Sequence, residues 1–116
     1  MSSMAKQAQQ RVGILQGTLD MLILRTLLYG PAHGHQIGKH IQMTTNEFLQ
    51  MQHGSLYPAL HRLERDKLVA GEWRITEKGR RARYYKLMPA GRKRLAAAEQ
   101  HWSTLAKGVA RVLRFA

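Results

Sequence analysis

The chain is 116 residues long, a length that points to one domain around one modest core. Nineteen Lys and Arg stand against seven Asp and Glu, a formal net charge of +12 and the footprint of a chain that neutralises a polyanion: DNA, RNA or an anionic membrane. Cysteine is absent, which excludes a disulfide framework, a thiolate metal site and a cysteine nucleophile, and fits a reducing cytoplasm.

Residues 1 to 16, rich in Gln, Ser and Ala, keep no hydrophobic period and read as a flexible or short helical arm. From Thr18 the pattern changes. Thr18 is of a capping type, Asp20 suits the first turn of a helix dipole, and Leu19, Met21, Leu22, Ile23, Leu24, Leu27 and Leu28 follow until Gly30-Pro31. The longest apolar run here, Met21 to Leu24, is shorter than the ~7 to 15 residues of a signal-peptide core or the ~20 of a membrane span, so neither export nor insertion is expected. Apolar residues surround this helix almost completely, which predicts a second surface, such as a partner subunit, packed against it.

A short helix is predicted from about His33 to Met43, with Ile37 and Ile41 on one face and Lys39 and His40 beside them. A third begins near Ser55 as N-cap, with Pro58 in its first turn. On it Leu56, Ala59, Leu60 and Leu63 fall within one arc, and Tyr57, His61, Arg62 and Arg65 on the other side. Two strands follow, around Trp73-Ile75 and Tyr84-Leu87, joined by the turn-like stretch Thr76 to Arg81. From Arg92 a long helix runs to about Leu113, where Leu95, Ala98, Trp102, Leu105, Val109 and Val112 recur at alternating steps of three and four. Such a seam calls for another helix. The fold class is therefore mainly α with a small β-hairpin: a winged helix-turn-helix at 17–88 and a dimerisation helix at 89–116.

Hydroxyl, imidazole and guanidinium groups at Ser55, Tyr57, His61, Arg62 and Arg65 are donors that reach phosphates and base edges in a major groove, and Lys39 lies close by. The hairpin is the stronger signal. Arg74, Lys78, Arg80, Arg81, Arg83 and Lys86 gather within thirteen residues against Glu77 alone, and Gly79 permits a tight tip, as in wings that lie along phosphates or enter a minor groove. His33, His35 and His40 do not align on one helix face, so no metal or other cofactor is expected. Seven thinly spread acids assemble no catalytic constellation, so no enzyme activity is expected.

An RNA-binding or ribosome-associated protein is the competing class, but Tyr84 and Tyr85 are neighbours that point to opposite sides of a strand and cannot form one stacking surface. A membrane-surface module would need exposed apolar bulk, and here the apolar stripe is taken by the seam.

Five segments in order carry a family resemblance: Gly17-Thr18-Leu19-Asp20, Gly30-Pro31-Ala32-His33-Gly34, Gly54 through Glu64 with its Ser-Leu-Tyr-Pro-Ala-Leu core, Arg83-Tyr84-Tyr85-Lys86-Leu87 and Ala90-Gly91. They resemble the PadR family of bacterial transcriptional regulators over nearly all of residues 13 to 113, and the single terminal helix is similar to its short subfamily. The resemblance implies a two-fold homodimer that holds a pseudo-palindromic duplex operator and represses a nearby gene, with relief by a small molecule. It implies DNA contacts from Ser55, Tyr57, His61 and the cations around Gly79. This chain departs from the family pattern at His35, where an aromatic commonly follows His-Gly, and at Met88, where Ser or Thr is usual. Leu19, Leu95, Ala98, Trp102, Leu105, Val109 and Val112 are the expected dimer contacts. Trp102, at the seam, is the candidate to stack a planar aromatic effector against its partner copy.

Overall fold

The computed structural model describes residues 15–49 and 53–115. The expected N-terminal arm lies, up to residue 14, outside these described residues.

Helix α1 spans Gln16–Leu27 and opens on Leu15, whose extended backbone serves as N-cap with no side-chain hydrogen bond. The predicted cap at Thr18 is thus three residues late. Asp20 consequently sits past the first turn, and its carboxylate meets Arg62 instead of the free amides of a helix start. Leu19, Ile23, Leu24 and Leu27 are buried, with Met21, Leu22 and Leu28 packed partly against them. The all-round apolar surface of α1 has a source within the chain: the helix runs through the middle of the fold and touches three other helices and one strand. Full burial of one such side chain contributes roughly 1.5–3 kcal/mol.

After Gly30-Pro31 comes a two-residue strand, β1 (Ala32–His33), and then α2 (Gly34–Thr44). His33 caps α2: its Nδ1 accepts from the Gln36 amide at 3.3 Å, and the Gln36 side chain accepts from the His33 amide at 3.0 Å. Ile37 and Ile41 turn into the core. Thr45 closes the helix, its hydroxyl donating to the Ile41 carbonyl at 2.9 Å and accepting from the Leu49 amide at 3.1 Å.

Helix α3 covers His53–Arg65. It begins ahead of Ser55, so Ser55 is an exposed helical residue and not the cap, and Pro58 stands one turn in, where its missing N–H leaves the Gly54 carbonyl without its i+4 donor. Leu56, Ala59, Leu60 and Leu63 are all buried, as their spacing predicts.

Strands β2 (Val69–Ile75) and β3 (Arg81–Leu87) form the hairpin, and β1 adds to β3, giving an antiparallel sheet in the order β1-β3-β2. Val69↔Leu87, Gly71↔Tyr85, Trp73↔Arg83 and Ile75↔Arg81 share one face, whose inner end is core and whose outer end runs past it. At the tip, the Gly79 amide donates to the Thr76 carbonyl at 2.9 Å, and Gly79 has φ +76°, a conformation that glycine adopts at little cost.

Helix α4 spans Pro89–Phe115, roughly 40 Å at 1.5 Å per residue. Gly91 lies so close to β2 that a Cβ there would sit 2.1 Å from the Leu68 carbonyl oxygen. Leu95 is buried in the protomer core, and Glu99 meets Arg25 of α1 at 3.2 Å. Leu19 and Leu95, both expected in the dimer interface, are therefore core residues of the single chain. Beyond them α4 leaves the core behind: Trp102, Leu105, Val109 and Val112 are 50 %, 49 %, 48 % and 69 % exposed along one face.

Candidate nucleic-acid interface

At roughly 100° per residue, the exposed arc of α3 has His61 and Arg65 near its middle, Ser55 and Arg62 toward one edge and Tyr57 and Glu64 toward the other. Tyr57 packs on α2, where Gly34 leaves it room: a Cβ on that glycine would stand 2.7 Å from Cε1 of the ring. The wing rises beside this surface. Between α2, α3 and the wing lies an open groove of about 1160 Å³.

The groove gathers seven of the sequence-predicted contacts: Lys39 from α2, Tyr57 and His61 from α3, and Lys78, Arg80, Arg81 and Arg83 from the wing. His33, His35, His40 and Trp73 line it as well, and composition alone did not single them out as groove residues. Trp73 is half-exposed, with the guanidinium carbons of Arg81 and Arg83 4.6 and 5.5 Å from its ring centre. Its exposure follows from register, because the strand carries position 73 beyond the end of the core.

Ser55 and Arg65 are exposed on α3 but outside the groove lining. Arg74 is on the far face of the wing, 5.2 Å from the Tyr84 ring and 3.2 Å from Glu72, over a smaller hollow of about 240 Å³. The two tyrosines part as alternation demands: Tyr85 is buried, and Tyr84 meets the His33 ring edge-on at 5.1 Å.

Four of the predicted contacts pair with acids of the chain: Arg65 with Asp66 at 3.3 Å and Arg74 with Glu72 at 3.2 Å, both close in sequence, and two that reach across elements. Arg62 holds Asp20 of α1, and Arg83 holds Glu64 of α3 through Nε at 3.2 Å and through Nη2. The Arg83 hydrogen bonds draw the Glu64 carboxyl below the usual carboxylate range, and the pair raises Arg83 in turn. Asp20 goes the other way: burial outweighs its bond to Arg62 and pushes its pKa up. Burial, with His35 nearby, depresses His33, which suits a ring nitrogen that must stay unprotonated to accept the Gln36 amide. Among the described residues no His, Asp or Glu cluster is arranged to hold a metal, and no helix is long and apolar enough to cross a membrane.

The model of the transcriptional regulator PadR-like family matches residues 23–97. The chain belongs to that family. The PadR-like match takes in α1 from Ile23, α2, α3, the wing and the first third of α4. A transcriptional regulator from Clostridium thermocellum superposes with a TM-score of 0.76 at 28% identity, covering 83% of this chain and 93% of the other. A PadR family regulator from Eggerthella lenta gives 0.71 at 30% identity, covering 96% and 89%. Transcriptional regulator Rv3488 of Mycobacterium tuberculosis is 45% identical over 56 residues, 48% of this chain and 51% of that protein. The winged helix expected from the sequence is thus the family fold with its long terminal helix, and the protein is a PadR-like transcriptional regulator and not an enzyme.

Proposed function

We propose that two copies of this regulator pair through α4 and repress a nearby gene by holding a pseudo-palindromic duplex operator, two α3 helices entering successive major grooves about one turn apart. The observation that carries the proposal is the groove itself: it sets the exposed face of α3 beside a cationic wing tip, with few acids between them. Ser55, Tyr57, His61 and Arg65 read or flank the bases, Lys39, Lys78, Arg80 and Arg81 hold phosphates, and Arg74 adds long-range attraction from the far face. Ala98, Trp102, Leu105, Val109 and Val112 form the seam. The exposed stripe of the last four, on a helix that extends past its own core, supports pairing with a second α4.

The two Trp102 rings would then bound a flat apolar slot, and a planar aromatic ligand stacked there would relieve repression by changing the spacing of the reading heads. Intrinsic fluorescence tests this. Planar aromatic compounds should quench the wild type and not Trp102→Phe, and equal quenching of both contradicts the slot.

Competition between duplex DNA and single-stranded RNA for the purified chain, with its mass followed by sedimentation, tests the main proposal. A dimer that prefers duplex is expected. A monomer, or a chain that prefers RNA, contradicts it.

A further inference from the structure

Arg62 of α3 and Arg83 of the wing, which charge alone would assign to DNA, are each paired with a carboxylate on another element. We infer that the Glu64–Arg83 pair is a positioning brace that fixes the wing against α3, and that Arg83 acts on DNA only through the angle it sets. This rests on the duplex-binding reading above.

Three observations converge on it. The Arg83 guanidinium grips the carboxylate with two of its nitrogens, Nε donating to Oε1 at 3.2 Å and Nη2 donating to Oε2, so the contact fixes orientation as well as distance. Both side chains are more than two-thirds buried, which limits competition from water and from phosphate. Gly71 on the neighbouring strand keeps the space: a Cβ there would lie 2.6 Å from Arg83 Nε and 2.8 Å from its guanidinium carbon. Any side chain at 71 displaces the fork.

The placement on α3 matters as much as the geometry. Glu64 and Arg62 lie toward opposite edges of the exposed arc, and each edge is tied to a different element, Arg62 to Asp20 of α1 and Glu64 to Arg83 of β3. The helix is thus held from both sides, leaving Tyr57, His61 and Arg65 between the ties. A charge pair made of residues 19 apart joins the two parts that must meet the duplex together.

Charge counting and bracing predict opposite signs for one substitution. Glu64→Gln removes an acid beside the interface and releases Arg83, so a direct phosphate role for Arg83 makes duplex binding tighter. The brace makes it weaker, by about tenfold, and Arg83→Gln weakens it equally while the slope of log affinity against log salt stays unchanged. The double variant should bind no worse than either single one. Wing placement is read without DNA: because the native chain has no cysteine, spin labels at Glu77→Cys and Asp66→Cys, diluted with unlabelled chain, report the tip-to-helix distance. Glu64→Gln, Arg83→Gln and Gly71→Ala should each broaden that distribution. Tighter duplex binding by Glu64→Gln, a slope lowered by about one in Arg83→Gln, or an unchanged label distribution overturns the brace. If the wild type fails to bind duplex at all, the DNA reading falls, and the label distances still decide the brace.

Discussion

Tyr57 of α3 rests against the bare backbone of Gly34, the first residue of α2, with 2.7 Å between the ring's Cε1 and the place a Cβ would occupy. The contact couples the reading helix to the helix before it through an absent side chain. Gly34→Ala should push the ring outward. Alanine is the better helix former by up to about 1 kcal/mol, and the ring's far end can yield, so the melting temperature should move little. Duplex affinity measured by anisotropy should fall about tenfold, roughly 1.4 kcal/mol. A large loss of thermal stability with intact binding would show that the contact serves folding alone.

Lys67 ends α3 in the left-handed region at φ +61°, with the Leu68 amide donating to the Leu63 carbonyl at 2.9 Å as in a Schellman motif. A non-glycine residue there carries strain of about 1–2 kcal/mol, and glycine would return part of the gain through a freer unfolded chain. Lys67→Gly should therefore stabilise the fold by about 0.5–1 kcal/mol in urea titrations at constant m-value.

The His33 cap has a pH signature. Its pKa is depressed in the fold by burial and by His35, so the unfolded chain takes up the proton first as pH falls below about 6.5. The cap's contribution is present above that value and is lost as pH drops through the folded pKa. The urea midpoint should fall between pH 7.5 and 5.5, and His33→Asn, a cap that does not titrate, should shrink that drop. An equal drop in the variant would place the proton elsewhere.

Arg80 and Arg81 at the wing tip are exposed, and Arg80 has no acid within ion-pairing distance among the described residues. Arg80→Ala and Arg81→Ala should each weaken binding to every duplex alike and flatten the salt slope by about 0.9. Arg74→Ala, on the far face beside Glu72, should change the slope less.

Periodicity makes the surface of α3 legible in the sequence, since steps of three and four separate Leu56, Ala59, Leu60 and Leu63 from Tyr57, His61 and Arg65 and the burial follows them. Gly79 and the surrounding cations mark the wing just as clearly. The pairings of Arg62 and Arg83 are not legible, because their acids are 42 and 19 residues away and charge type says nothing of which carboxylate folding brings near. Leu95 keeps the seam period yet goes into the protomer core, since one heptad pattern can serve two surfaces in turn along a single helix. The start of α1 is misplaced at Thr18 because Leu15 caps with backbone alone, and His33 escapes notice as a cap because imidazole is outside the usual capping set.

The central claim is that α3 and the wing select a particular duplex. Genomic fragments captured by the purified protein near 0.15 M salt, followed by footprinting of the tightest one, measure this most directly. The account predicts a two-fold symmetric protected segment bound at least ~10³-fold tighter than random duplex. Uniform protection with no preferred fragment would contradict it.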